Sequence, residues 1–397
     1  MEYMKRTIPY GKHFIDEDDI KAVENVLRHK NLTQGDEVSL FEKDISEYVG
    51  SKFAVAFSSW TAGLHAACSV IGITNNDSVI TSPITFVATS NSVLYCGGNP
   101  IFSDISNDSI NICPDNLESL IKKNPNVKAI IPVHFAGVSC DMEKIKIIAD
   151  KYNLFVIEDA AHALGGKHND GSQIGSCKFS DMAGFSFHPV KSIAAGEGGM
   201  ITTNNEELYR KLLRFRSHGI NKLDDKFIKS EDANTNGTIN PWYYEMQELG
   251  YNYRITDIQC ALGRSQLKKL SKFIEKRKDL VKIYDEAFKN LNNINLIQQD
   301  YREFSSHHLY VVRINFNKIK ISRAEFMTKL RDKGIITQVH YIPVNLHPYY
   351  QKLGYDKNLN PNSLNYYSEC LSIPIYYSLN YEEQTRVIKS IKKLINE

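Results

Sequence analysis

Short apolar segments alternate with helical patterns through the first half of the chain, and this alternation limits the possible folds more than any other feature. The strand-like runs occupy residues 53–57, 77–83, 100–105, 128–135, 153–159, 182–188 and 198–204. Apolar runs that are bounded by turn residues and separated by helices indicate a mostly parallel sheet covered on both faces. We therefore predict an α/β fold with a mostly parallel central sheet, whose ligand site lies at the carboxyl ends of the strands.

Two domains are predicted. Residues 1–255 form the large α/β domain with an N-terminal segment, and residues 256–397 form a long helical connection and a smaller C-terminal α+β domain. The polar stretch 221–240 is typical of a long exposed loop, one that could reach a partner subunit. The remaining helix and strand patterns occur at residues 16–30, 36–49, 256–290, 309–316, 321–334 and 381–395.

Charge and cysteine usage exclude several classes of protein. The 48 Lys and Arg residues nearly balance the 46 Asp and Glu residues, so the basic field of a nucleic-acid-binding protein is missing. No apolar run is long enough for a membrane span. The seven cysteines are an odd number without a C-x-x-C pair, which favours a reducing compartment. We expect a cytoplasmic protein with neither a membrane nor a nucleic-acid partner.

Asp159 and Lys191 are the residues with the clearest chemistry. Asp159 ends a buried strand, where an unpaired carboxylate is costly unless a cation or hydrogen-bond donors meet it. Lys191 follows another apolar strand, where desolvation lowers the pKa of an amine and makes it a nucleophile toward carbonyls. Each residue alone is also compatible with an ordinary role, as a cap or as a solvated side chain. The nearby GEGG (196–199) fits neither a dinucleotide-binding nor a P-loop motif.

Several motifs together resemble the DegT/DnrJ/EryC1/StrS family of nucleotide-sugar aminotransferases. The resemblance covers nearly the whole chain and implies fold type I, pyridoxal 5'-phosphate (PLP) as cofactor, pyridoxamine phosphate (PMP) during the cycle, and a homodimer with active sites at its interface. The motifs are LTQG (32–35), TSPITFVAT (81–89), DAAHALG (159–165), FSFHPVK (185–191), GEGG (196–199), RSHG (216–219), GYNYRITDIQ (250–259) and QVHYIP (338–343).

The resemblance assigns residues to the cofactor ring. Lys191 would bind PLP covalently and then move a proton between the substrate carbon and the cofactor. Asp159 would pair with the ring nitrogen and so supply the cation that its carboxylate requires. Ala161 and Phe86 would pack on the two ring faces. His162 would lie near the phenolic oxygen, although many relatives have Gln at this position.

A second group is assigned to the cofactor phosphate. Trp60 and Thr61 enter a helix after the strand 53–57, where free N–H groups and hydroxyls favour an anion. Ser186 would add a hydroxyl, and Asn252 would add an amide from the neighbouring subunit. Ser, Thr and Asn are also ordinary helix-capping residues, so the hydroxyls alone do not require a ligand.

Within the family, the chain is similar to the UDP-4-amino-4,6-dideoxy-N-acetyl-β-L-altrosamine transaminases of pseudaminic acid biosynthesis. This similarity implies transfer of the amine of L-glutamate to C4 of UDP-2-acetamido-2,6-dideoxy-β-L-arabino-hex-4-ulose, a UDP-linked 4-keto-6-deoxy-N-acetylhexosamine. The residues it assigns to the UDP-sugar are Tyr10, Lys30, Asn31, Leu32, Thr33, Ser59, Ser186, Asn252, Arg254, His340 and Tyr341. Lys30 and Arg254 suit a diphosphate, but Lys30 is equally explained as a solvated residue that favours the helix dipole.

Two alternatives stay open. One is a sister aminotransferase for a bacillosamine, perosamine or legionaminic acid precursor, because the shape of the pocket sets substrate stereochemistry. The other is a catalytically idle or regulatory homologue; a C3-dehydratase is disfavoured because that branch has histidine in place of Lys191. The histidines at 307–308 and at 13, 340 and 347 lack metal-site spacing, so no metal is expected.

Overall fold

The structure, a computed structural model, describes residues 7–222 and 227–396. All seven predicted strand segments form strands of a single seven-stranded sheet, which confirms the predicted α/β architecture. The strands are β1 (Phe53–Phe57), β2 (Ser78–Thr81), β3 (Asn99–Phe102), β4 (Val127–Ile131), β5 (Phe155–Asp159), β6 (Met182–Ser186) and β7 (Gly199–Thr203).

The strand order is β1-β7-β6-β5-β4-β2-β3. β7 is antiparallel to β1 and to β6, and the other four pairings are parallel. Because β4, β5 and β6 run in one direction, their carboxyl ends meet at one edge of the sheet. Asp159 pairs with Gly184 at this edge, and its carbonyl accepts a hydrogen bond from the His134 N–H at 3.1 Å.

Helices cover both faces of the sheet, and apolar clusters lie between them and the strands. Local capping defines where several of them begin. Asp16 and Asp19 form a capping box at the start of the first helix, and the Ser59 side chain caps the third. The helices of this part are α1 (Glu17–His29), α2 (Asp36–Val49), α3 (Trp60–Val70), α4 (Ala88–Tyr95), α5 (Pro114–Lys123), α6 (Met142–Tyr152) and α7 (Glu206–Arg216).

The polar stretch 221–240 is more ordered than the exposed loop that was predicted, although its residues 223–226 lie outside the described residues. It contains one turn of helix, α8 (Ser230–Ala233). Around it are the two-residue strands β8 (Ile220–Asn221), β9 (Asn234–Thr235), β10 (Thr238–Ile239) and β11 (Glu245–Met246), paired as β8 with β11 and β9 with β10.

The helical pattern predicted over residues 256–290 is two helices, α9 (Asp257–Leu267) and α10 (Leu270–Phe288). Thr256 and Gln259 form a capping box at the start of α9. Lys268 is the C-cap of α9 and Lys269 is the N-cap of α10, so the two helices are separated by these two residues.

The C-terminal part is an antiparallel three-stranded sheet covered by helices. Its strands are β12 (Ile294–Leu296), β13 (Tyr310–Ile314) and β14 (Cys370–Ile373). Its helices are α11 (Phe316–Ile319), α12 (Arg323–Asp332), α13 (Pro348–Lys352), α14 (Pro361–Glu369) and α15 (Tyr381–Asn396). Short 3-10 helices occur at Phe135–Gly137, Gln299–Tyr301 and Val344–Leu346.

The N-terminal segment packs with this C-terminal part. Ile8 is fully buried in its core, and its N–H donates to the Gly334 carbonyl at 2.8 Å. The Tyr10 carbonyl accepts a hydrogen bond from the Ile375 N–H at 3.0 Å. We propose a domain boundary near residue 255, with the first described residues crossing over to the smaller domain.

The seven cysteines are all free thiols. Across residues 7–222 and 227–396, no helix combines the length and the apolar character that crossing a membrane requires.

Candidate active site

A cavity of about 720 Å³ opens at the carboxyl ends of β4, β5 and β6. This is the edge at which the sequence predicted a ligand site. The cavity brings together twelve of the residues predicted for the site, namely Tyr10, Ser59, Trp60, Thr61, Phe86, Asp159, Ala161, His162, Ser186, Lys191, His340 and Tyr341.

Asp159 is the most firmly held side chain of the cavity. It is only 4% exposed at the end of β5. Its Oδ1 accepts hydrogen bonds from the Trp60 indole N–H at 2.8 Å and from the Ala161 N–H at 3.2 Å, and its Oδ2 accepts one from the Thr89 hydroxyl at 2.6 Å. These three donors fix the direction of the carboxylate.

Lys191 lies in the loop between β6 and β7 and lines the same cavity. Burial lowers the pKa of Lys191 to about 8, against a smaller opposing effect of the Asp159 charge. At neutral pH an amine with this pKa is still mostly protonated, but roughly a tenth of it is unprotonated, far more than for an ordinary lysine. Only the unprotonated amine can attack a carbonyl. The pKa of Lys191 is thus lowered in the direction that the sequence predicted, and its role as the nucleophile stays a prediction.

His162 is a neutral imidazole with a defined tautomer. Burial lowers the pKa of His162 well below its usual value, and the Lys191 and His340 charges lower it further. The Ala136 N–H donates to His162 Nδ1 at 3.3 Å, so the ring proton is on Nε2. Nε2 is 3.1 Å from the Tyr341 hydroxyl oxygen, which therefore accepts this proton's hydrogen bond.

The N-terminus of α3 opens on the cavity at residues 59–61. The first N–H groups of a helix lack partners within the helix, so this terminus is suited to an anion. The Ser59 hydroxyl accepts a hydrogen bond from the Ala62 N–H at 3.1 Å. The Trp60 indole N–H donates to Asp159, which leaves only the Trp60 backbone for the predicted phosphate contact.

Six predicted contact residues lie outside the lining of the cavity, namely Lys30, Asn31, Leu32, Thr33, Asn252 and Arg254. Residues 30–33 follow α1 and are exposed, and Lys30 pairs with Glu37 at 2.6 Å. Asn252 is exposed as well, and its backbone pairs with that of Ser217. Within a single chain, these side chains are not assembled with Lys191 and Asp159.

The sequence did not identify Thr89 and His308 as site residues. Thr89 contacts Asp159, and it lies four residues after Thr85, whose hydroxyl oxygen is 2.7 Å from that of Thr89. His308 lines the cavity, with its ring centroid 4.4 Å from that of His162. The Thr-x-x-x-Thr spacing at the start of a helix is the one available signal for Thr89. His308 comes from the C-terminal part, so only the tertiary structure brings it to the cavity.

Comparison with known proteins identifies the family. The DegT/DnrJ/EryC1/StrS aminotransferase family model matches residues 13–392. The chain belongs to this family. It is thus a PLP-dependent sugar aminotransferase, and the enzyme has the fold type I architecture that the motifs implied.

Relatives are similar to the enzyme over nearly its full length. The spore coat polysaccharide biosynthesis protein SpsC of Bacillus subtilis is 39% identical over 98% of this chain and 97% of its own. A UDP-4-amino-4,6-dideoxy-N-acetyl-β-L-altrosamine transaminase of Campylobacter jejuni is 39% identical over 95% of this chain and 94% of its own. The solved structure of Helicobacter pylori PseC, an aminotransferase of pseudaminic acid biosynthesis, aligns with a TM-score of 0.88 at 33% identity over 98% of this chain and 100% of its own.

PLP and PMP are the cofactor forms of this fold. A Streptococcus pneumoniae protein that is 27% identical to the enzyme has been solved in both forms, with TM-scores of 0.87 and 0.88 over 98% of this chain and 99% of its own. The cavity of the enzyme fits the cofactor, because it offers a buried carboxylate for a ring N–H, a desolvated amine for the aldehyde and a helix N-terminus for the phosphate.

Proposed function

We propose that the enzyme transfers the amine of L-glutamate to C4 of UDP-2-acetamido-2,6-dideoxy-β-L-arabino-hex-4-ulose, forming UDP-4-amino-4,6-dideoxy-N-acetyl-β-L-altrosamine for pseudaminic acid biosynthesis. The proposal depends above all on the presence of Lys191 and Asp159 in one cavity. The choice of sugar is supported by relatives from Campylobacter jejuni and Helicobacter pylori that carry this transaminase name and are 35–39% identical.

We assign binding of the cofactor and transfer of the proton to different residues of the cavity. When bound, PLP supplies an electron sink for negative charge on the substrate carbon. Lys191 would hold the cofactor, and its free amine would carry the proton to and from that carbon. Asp159 would keep the ring nitrogen protonated. Ala161 and Phe86 would flank the ring, and the Phe86 side chain, which is 60% exposed, is available to a ligand.

His162 and Tyr341 form the polar side of the proposed site. Tyr341 accepts a hydrogen bond from His162 and therefore keeps its own O–H for an oxygen of the cofactor or sugar. His340 is held by a hydrogen bond between its Nδ1 and the Ser372 hydroxyl at 2.8 Å, and its ring centroid is 5.4 Å from that of Tyr10. The rings of Tyr10 and His340 thus form an aromatic surface on which a uracil or sugar ring could pack.

The half-reactions can be tested separately by visible absorption of the PLP-loaded enzyme. L-Glutamate should convert the lysine-bound cofactor to PMP and bleach its band. Of a panel of UDP- and GDP-linked 4-keto-6-deoxy sugars, the β-L-arabino 4-keto sugar should restore the band. Restoration by another epimer alone would refute the proposed sugar but keep the amino transfer, and an unchanged band with glutamate would refute the proposed donor.

A sister sugar aminotransferase is the second candidate function. It is favoured by the 39% identity to SpsC, a spore coat polysaccharide biosynthesis protein, which equals the identity to the Campylobacter transaminase. The same panel separates the two candidates, because a different sugar would restore the band.

We further propose that the working form is a homodimer whose sites are shared by two chains. A diphosphate and a dicarboxylate require cations, yet Lys191 is the only Lys or Arg among the described residues that line the cavity. Asn252, Arg254 and Lys30 lie outside the lining of their own cavity, and in the proposed dimer they would contribute to the partner's cavity. The segment before Asn252 exposes Trp242 at 72% and Leu249 at 74%, as expected of a surface that a second chain covers.

Heterodimers test this shared site. The Lys191→Ala chain and the Asn252→Ala/Arg254→Ala chain should each be inactive as homodimers. A heterodimer purified through two different tags contains one intact site if the residues act across the interface, so it should show about half of the wild-type activity per dimer. An inactive heterodimer would instead mean that Asn252 and Arg254 serve the site of their own chain, and a fully active double variant would mean that neither serves a site.

A further inference from the structure

Asp159 has few acceptor positions left for a ligand. A carboxylate offers about four lone-pair positions on its two oxygens. Two on Oδ1 are taken by the Trp60 indole and the Ala161 N–H, and one on Oδ2 is taken by the Thr89 hydroxyl. A single position on Oδ2 remains for a further donor.

Each side-chain donor is held by its own surroundings. The Thr89 hydroxyl must donate to Asp159, because a carboxylate only accepts, and the Thr85 hydroxyl 2.7 Å away then donates to Thr89. The Trp60 ring lies against Gly184 of β6, where a Cβ would overlap the ring. The Trp60 backbone lies against Gly199 of β7, where a Cβ would lie 2.6 Å from the Trp60 backbone nitrogen. Glycine in β6 therefore leaves room for the indole, and glycine in β7 leaves room for the backbone that carries it.

We propose that Thr89 and Trp60 are positioning residues that fix the Asp159 carboxylate so that only one Oδ2 position receives the ring N–H of PLP. This inference rests on the proposed pairing of Asp159 with the ring nitrogen. A carboxylate restricted in this way cannot rotate away from the ring nitrogen. Removal of either donor leaves fewer partners that oppose rotation of the carboxylate, so the ring proton is held less firmly.

How firmly the ring nitrogen holds its proton can be measured from the absorption of the bound cofactor, without turnover. A positive charge on the ring nitrogen lowers the pKa of the lysine–cofactor linkage on the same ring system. If the ring proton is held less firmly, the pH at which the visible band of the lysine-bound cofactor titrates should rise. A residue that only supports the fold would not move this pH in a variant that still binds PLP.

The experiment is a pH titration of the absorption of PLP-loaded variants. Thr89→Val should raise the titration pH and lower kcat about 10-fold, whereas Thr89→Ser should restore both. Trp60→Phe keeps an aromatic ring but lacks the N–H, and it should shift the titration in the same direction. Ser90→Ala is the matched control, because it removes a buried hydroxyl of the same helix that contacts Tyr350 instead of Asp159.

Asp159→Asn separates failure of this inference from failure of the proposed pairing. If Asp159→Asn shifts the titration and Thr89→Val and Trp60→Phe do not, the positioning role is overturned and the pairing stands. If Asp159→Asn also leaves the titration unchanged, the pairing itself is overturned. Should Thr89→Val not fold, Trp60→Phe provides the same readout, and an unshifted titration in that variant overturns the inference.

Discussion

Lys191→Ala is expected to lower the rate of amino transfer by about 10⁴-fold or more, because one side chain both binds the cofactor and carries the proton. The variant should also lack the visible band of lysine-bound PLP. Borohydride reduction followed by denaturation should leave the cofactor attached to the wild-type chain and release it from the variant. Steady-state rates and absorption spectra measure the two effects independently.

The control for this prediction is Lys178→Ala. Lys178 is an exposed lysine of the same domain that pairs with Asp170 at 2.5 Å, and exposed pairs contribute little to stability. Its loss should leave rate and spectrum unchanged. A Lys191→Ala enzyme that kept wild-type turnover, or that still retained PLP covalently, would show that another group does the chemistry.

The central sheet could be predicted because each of its strands has a local signal in the sequence. Each strand is a short apolar run between turn residues, and burial on both faces makes such runs continuous. The break at Lys268 and Lys269 could not be predicted, since the helical periodicity passes through it. The burial of Ile8 against Gly334 and Ile335 could not be predicted either, because such pairing over a long sequence distance has no local signal.

The candidate site likewise contains residues that the sequence predicted and residues that it did not. Asp159 and Lys191 could be predicted from the sequence because each places a costly group at or soon after the end of a buried strand, and the structure places both in one cavity. Thr89 was missed, since a threonine near a helix start has an ordinary explanation as a cap. The direction of the Trp60 indole was missed because it depends on Gly184, which lies in a strand far along the chain.

Asp159→Asn is the second variant with a large expected effect. It preserves the shape of the side chain and removes its charge, so the ring nitrogen of PLP loses the group that keeps it protonated. Loss of one preorganised electrostatic group typically costs about 10²–10³-fold in kcat, and we expect a decrease of this size while PLP still binds Lys191. Single-turnover rates with L-glutamate measure the decrease.

Two comparisons distinguish loss of this charge from damage to the sheet. Asp181→Asn removes a carboxylate that accepts a hydrogen bond from the Val156 N–H at 2.8 Å, at the opposite end of the neighbouring strand, and should leave the rate near that of the wild type. In Asp159→Ala, a PLP analogue methylated on the ring nitrogen carries a permanent positive charge and should recover part of the lost rate. Because the analogue needs no proton from the protein, its failure to restore activity in a folded, cofactor-loaded variant would mean that Asp159 acts on something other than the charge of the ring.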